Sequence, residues 1–221
     1  MIAKTTGIVL HTLRYGESSL IVHVYTEHFG RISLMAKGVK NAKKPGRTAL
    51  LQPLKILSME VYYKPSREIQ MLKEFDSVLP EQVNAPDPVK GSVSLFIAEL
   101  LYKVLQEEEP NEPMFRFLYR SILDFNQMQK GITNYHLYFA VHLTKYLGFF
   151  PSGNFDEKHC LFDGMKGKFV EQLKAPVTAM PQEESALLAK LMTLSPQNLD
   201  NLCLNGVQRS RFLDEIIKFY Q

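Results

Sequence analysis

The densest chemistry in the sequence lies between Arg31 and Arg47, RISLMAKGVKNAKKPGR. Six basic residues (Arg31, Lys37, Lys40, Lys43, Lys44 and Arg47) occur there with no acidic one. Gly38, Asn41, Pro45 and Gly46 make its second half a loop, and lysines on a loop follow a phosphate backbone without demanding a fixed geometry. Tyr15, Tyr25, Phe29, Tyr62 and Tyr63 are close by in sequence and offer ring faces on which unpaired bases stack. No base-reading pattern accompanies them, so sequence-independent binding of a polyanion is expected. The candidate nucleic-acid contacts are Arg14, Arg31, Lys37, Lys40, Lys43, Lys44, Arg47, Tyr62 and Tyr63.

Patterns for covalent or metal chemistry are missing. GxGxxG, GxxxxGKS/T, HExxH and GxSxG do not occur, and Gly164-Met165-Lys166-Gly167-Lys168 has the wrong spacing to cradle phosphates. His136 and His142 lie about 240° apart around a helix and cannot share a metal on one face. His159-Cys160 has only Cys203 as a further thiol, 43 positions away, whereas a zinc site wants four ligands at characteristic spacings. Glu107-Glu108-Glu109 is a solvated run beside Pro110, not a desolvated acid–base pair. No enzyme, metal or cofactor is expected.

These residues must be held by two kinds of element. The chain has 221 residues, 45% hydrophobic and 22% charged, which excludes wholesale disorder and a membrane-embedded chain. The apolar run Gly7-Ile8-Val9-Leu10 is too short for a signal-peptide core, and two cysteines without a disulfide framework point to a reducing cytoplasm. Residues 1–80 carry 12 Lys+Arg against 6 Asp+Glu, the remainder 14 against 17, so the net charge of +3 belongs to the first part. That part alternates in polarity over 5–14, 20–26, 31–39, 54–63 and 67–75, five short strands that suit a small closed barrel without exposed edges. Lys64-Pro65-Ser66 is the tight turn between the last two. After Asn84-Ala85-Pro86-Asp87-Pro88 the period changes to that of helices, expected over 95–105, 113–127, 133–147, 182–193 and 207–220. The expected organisation is α+β: a five-stranded barrel over 1–80 and a mostly helical domain over 81–221, with an irregular insert or small hairpin near 152–169.

An ordered series of short patterns then carries a resemblance. Gly7-Ile8-Val9-Leu10, Tyr15-Gly16-Glu17, Thr26 with Gly30-Arg31, Ala36-Lys37-Gly38-Val39-Lys40 and Leu51-Gln52-Pro53 resemble the N-terminal pattern of the RecO family of bacterial recombination-repair proteins. Phe96-Ile97-Ala98-Glu99-Leu100-Leu101, Pro113-Met114-Phe115 and Leu147-Gly148-Phe149-Phe150-Pro151 resemble its helical half, so the likeness runs from about residue 3 to 219. The resemblance implies an N-terminal OB-fold and a non-enzymatic mediator of recombinational repair in the RecF pathway. Implied with it are binding of single- and double-stranded DNA, strand annealing, and a cytoplasmic, nucleoid-associated place. The implied protein partners are RecR and the acidic C-terminal tail of the single-stranded DNA-binding protein, bound to help recombinase loading. Some relatives hold zinc through four cysteines after the Leu-Gly-Phe motif. Here 152–169 holds only Cys160, so no zinc is expected and Phe155, Leu161, Phe162 and Phe169 are expected to staple the segment instead.

An acidic peptide ending in phenylalanine needs an apolar groove rimmed with cations, and arginine suits its terminal carboxylate. Arg116 and Arg120 share a helix face at i and i+4, and Tyr138, Val141, His142 and Lys145 on the next helix are the expected groove wall. Two rival readings stand beside this one. An OB-fold RNA-binding protein of ribosome assembly would be told apart by the 2′-hydroxyl. A protein-interaction scaffold with an incidental basic loop would lack salt-sensitive nucleic-acid binding.

Overall fold

The computed structural model describes residues 1–39, 46–79 and 87–221. Five strands, β1 (Ile2–Tyr15), β2 (Ser19–Thr26), β3 (Gly30–Ala36), β4 (Ile56–Tyr62) and β5 (Ile69–Ser77), close into a barrel in the order β1-β2-β3-β5-β4. Each strand pairs with two neighbours, and β1 does so from Gly7↔Thr26 to Tyr15↔Ser19 with β2 and from Ile2↔Tyr62 to Ile8↔Ile56 with β4. A side chain at Gly7, where the two ladders overlap, would lie 2.5 Å from both Met59 Cε and Val24 Cγ1. The β3–β5 pair is parallel, from Ser33↔Ile69 to Met35↔Met71, so the barrel is mixed. That order, with its one parallel pair, makes this an OB-fold. Alternation puts Leu20, Val22 and Val24 of β2 and Ile32, Leu34 and Ala36 of β3 inside, where they meet Val9, Leu57, Met59, Val61, Leu72 and Phe75. A four-residue helix, α1 (Arg47–Leu50), precedes β4, and Thr12 Oγ1 of β1 donates to Leu51 O just after it at 2.7 Å.

Asp87 opens α2 (Pro88–Val104) by accepting from Val89 N at 2.8 Å and Lys90 N at 3.2 Å, with proline at the first helical position. The helix therefore starts well before Leu95, where its periodicity becomes readable. The expected junction at 80/81 and Asn84-Ala85-Pro86 lie outside the described residues. The chain has two compact units, Met1–Leu123 and Asp124–Gln221, dividing within α3 (Glu112–Gln127).

Helix α4 (Ile132–Tyr146) organises the second unit, with Leu137, Phe139, Ala140, Val141 and Leu143 buried. Tyr135 stacks on Phe125 with ring centres 4.8 Å apart, and Asn134 Nδ2 donates to Leu199 O and Leu202 O at 3.0 and 2.8 Å. His142 of α4 bonds Leu191 O of α5 (Gln182–Thr193) at 3.0 Å. Tyr220, just past α6 (Gly206–Phe219), donates its hydroxyl to Ala140 O at 2.6 Å. The segment 152–169 supplies a hairpin strand, β6 (His159–Asp163), which pairs with β7 (Lys168–Glu171). Phe169 anchors it, with Phe155 and Phe162 each 5.2 Å from its ring centre. Asn154 stands against β7, donating from Nδ2 to Phe169 O at 2.7 Å and accepting at Oδ1 from Phe169 N at 3.0 Å.

Burial, and secondarily the charge of Arg209, push the pKa of His136 on α4 down from 6.5 to about 4. The folded state thus favours the neutral ring, and its contribution is intact above pH 6.5 and lost as pH falls towards 4. Relative to His136→Gln, the wild type should lose about 3 kcal/mol of stability between pH 7 and pH 4. Urea denaturation at the two pH values measures this; a difference that does not change with pH would remove His136 from the acid response.

Candidate nucleic-acid interface

Residues paired across strands share a face, so the barrel's outer surface follows from its register. One row runs Leu13, Ile21, Met35, Met71 and Tyr62, and the next runs His11, His23, Ser33 and Ile69. In an OB-fold the outer face of strands 2 and 3, together with the 1–2 and 4–5 loops, is where oligonucleotides lie. Leu13, Tyr15, Tyr62 and Ile69 are exposed on or beside this surface.

Several expected cations are already engaged within the protein. Arg31 was expected to face solvent and meet phosphate. Instead its Nη1 donates to Tyr102 O and Leu105 O, both at 2.8 Å, and its guanidinium carbon sits 4.3 Å from the centre of the Tyr102 ring. Its backbone N donates to Glu107 O at 3.0 Å. The Tyr102 and Leu105 carbonyls lie at the C-terminal end of α2, where helix geometry leaves acceptors without partners and favours a positive charge. Arg31 therefore fastens α2 to β3, and its guanidinium is committed there and not to phosphate. Arg47 is similarly committed, 4.2 Å from the Phe75 ring centre and 3.7 Å from Glu74 Oε2. Lys73 and Lys4 both pair with Glu60, at 2.7 and 3.4 Å, and hold its carboxyl below the usual range, Lys73 most strongly.

Arg14 and Lys37 are exposed and join no ion pair among the described residues, whereas Lys40, Lys43 and Lys44 lie outside them. Tyr62 is exposed, but Tyr63 is half-buried and stacked on Phe29 at 4.2 Å. Tyr25 is core: burial, with the charge of Glu107, raises its pKa to about 12. Sequence reasoning passed over Lys64 and Arg67, which are exposed and without an ion pair among the described residues. Reading Lys64-Pro65-Ser66 only as a turn hid them; two cations within four residues, next to a Tyr-Tyr pair, were the available signal. A groove of about 190 Å³ opens beside this loop, lined by His23, Phe29, Tyr63 and Arg67 on the barrel and by Gln106 and Glu108 after α2.

The candidate peptide-binding residues fall in both units. Arg116 and Arg120 are exposed on α3 in the first, and Arg116 pairs with Glu112 one turn earlier. Tyr138, His142 and Lys145 lie on α4 in the second. The rings of Tyr138 and His142 are 4.1 Å apart, and burial lowers the pKa of His142. Lys145 is exposed. Among the described residues no group of three or more His, Cys, Asp or Glu is placed to hold a metal ion, and no helix is long and apolar enough to cross a membrane.

Known proteins match this chain along its length. Residues 1–80 fit the family model described as Recombination protein O N terminal, and residues 85–221 the one described as Recombination protein O C terminal. The chain is 32% identical to the DNA repair protein RecO of Phocaeicola vulgatus, over 100% of this chain and 92% of that relative. It is 33% identical to RecO of Bacteroides fragilis, with the same coverage. RecO of Flavobacterium johnsoniae is 33% identical over 98% of this chain and 90% of the relative.

Replacing Arg31 by Gln should lower stability by about 2 kcal/mol, because two carbonyls lose a charged donor. Lysine should rescue poorly, since it lacks the planar fork. Thermal unfolding reads both effects; a melting temperature equal to wild type for Arg31→Gln would show that α2 does not depend on this contact.

Proposed function

Since the chain belongs to the RecO family, DNA repair proteins of recombination, we propose that it works by binding alone, as a strand-annealing mediator. The observation that carries this reading is the OB-type barrel whose outer face keeps Tyr62 exposed and Arg14 and Lys37 free of ion pairs among the described residues. Arg14, Lys37 and the basic positions Lys40, Lys43 and Lys44 neutralise phosphates and hold a strand with its bases accessible. A second strand then meets the first at high effective concentration and pairs with it. Single- and double-stranded DNA are both ligands, bound without regard to sequence. RecR and the acidic tail of the single-stranded DNA-binding protein are its protein partners. The tail is engaged through Arg116 and Arg120, and concentrates the protein on coated strands ahead of recombinase loading.

Fluorescence anisotropy of a labelled single strand across a salt series tests the DNA reading. With roughly 3–5 phosphate contacts, log K against log salt should slope at about −2 to −3.5. Absence of binding at low salt overturns it. Arg116→Ala with Arg120→Ala should abolish binding of an acidic, phenylalanine-ended peptide and leave the DNA slope unchanged; peptide binding that survives removes both arginines from that site.

A further inference from the structure

Gln70 of β5 is out of place by type. It pairs with Leu34 in the parallel ladder, so it shares the inward face of the barrel with a fully buried leucine, and it is itself only 3% exposed. Burying an amide costs free energy unless its hydrogen bonds are met, and an apolar residue would fill the barrel end as well. The side-chain hydrogen bonds of Gln70 go to one short loop. Its Oε1 accepts from Lys64 N at 2.9 Å, and its Nε2 donates to Lys64 O at 3.0 Å and Arg67 O at 2.6 Å. Arg67 N closes the loop on Lys64 O at 3.0 Å, and Pro65 fixes one φ within it. The loop's backbone is thus folded around a single side chain.

What that loop presents is positive charge. Lys64, Pro65, Ser66 and Arg67 are all exposed, and neither cation joins an ion pair among the described residues, whereas Lys4, Lys73 and Arg47 on the same barrel do. Tyr62 is exposed just before it, and the Phe29–Tyr63 stack floors the adjoining groove. At about 190 Å³ that groove is smaller than the roughly 300 Å³ of small-molecule sites, and Glu68 and Glu108 line it. Arg31 and Arg67 line it too, so its charges balance, while Lys64 stands outside the lining.

We propose that Gln70 is a positioning residue that preforms the β4–β5 loop, so that Lys64 and Arg67 meet the phosphodiesters of a single strand without prior ordering. The proposal rests on the DNA-binding reading above and adds to it a positioning residue and the two contacts it presents. Because the loop is already ordered, binding pays little of the ordering entropy that a free loop would lose.

The test is anisotropy of a labelled single strand across a salt series. Lys64→Ala with Arg67→Ala should weaken binding about tenfold at low salt and flatten the slope by about 1 to 1.5, as the loss of two single-strand phosphate contacts requires. Gln70→Met should weaken binding several-fold with little change of slope, and should add nothing in the Lys64→Ala/Arg67→Ala background. Should Gln70→Met fail to fold, Gln70→Glu, which keeps the acceptor and removes both donors, takes its place. A Lys64→Ala/Arg67→Ala protein with wild-type affinity and slope overturns the two contacts. A Gln70 effect that persists undiminished in that background overturns its positioning role. Wild-type protein that binds no strand at low salt is a different result, and it is the broader DNA-binding reading that then fails.

Discussion

A five-stranded barrel closes only if every strand serves two neighbours, and the longest strand, β1, must turn to serve both of its own. Its 14 residues run past β4 first and β2 second, and the two ladders overlap at Gly7 and Ile8. Turning from one neighbour to the other brings Met59 and Val24 so close to Gly7 that no side chain fits between them. The outer rows follow from an irregularity just beyond this corner, where the β1–β2 register shifts by one between Val9 and His11. Leu13 therefore lies opposite Ile21 and His11 opposite His23, and the face that meets ligands in OB-folds acquires its composition.

A second constraint is the end of α2. Its last carbonyls have no partner within the helix, and the barrel supplies one through Arg31. The same crossing places Tyr102 over His11 and His23, at 4.8 and 5.3 Å, and lowers the pKa of His23 through burial and the nearby Arg31 charge. Gly30 seats the chain that follows: with φ at 59° it takes a left-handed turn, and a Cβ there would stand 2.7 Å from the Glu108 carbonyl carbon. Part of the barrel's positive charge is therefore architectural, and the charge left for a ligand is smaller than composition alone implies.

That distinction explains what could be read from the residues. Strands β2 and β3 were legible because their apolar residues alternate without interruption, and α5 because its leucines keep helical spacing. The first turns of β1 were not, since Ala3 and Thr5 are buried but small or polar. Nor was the start of α2, whose opening turns carry few apolar residues although Asp87-Pro88 marks it. Local periodicity carries no information about which strands meet, so the parallel β3–β5 pair stayed hidden. Arg31 looked like one more solvent-facing cation, because its carbonyl partners lie 71 and 74 residues further along the chain. The family, by contrast, was legible from short patterns kept in order along the chain, none of which is informative alone.

Asn154 has a consequence beyond holding Phe169. A two-stranded hairpin is marginal in water, and an open strand edge is a template on which another chain can grow sheet. The Asn154 amide meets both the N–H and the C=O of Phe169, as a neighbouring strand would, and Ser152 N takes the Gly167 carbonyl two residues before it. Two residues thus imitate a third strand without extending the sheet. At Gly167 and Phe169 they occupy the backbone groups on which another chain would otherwise build.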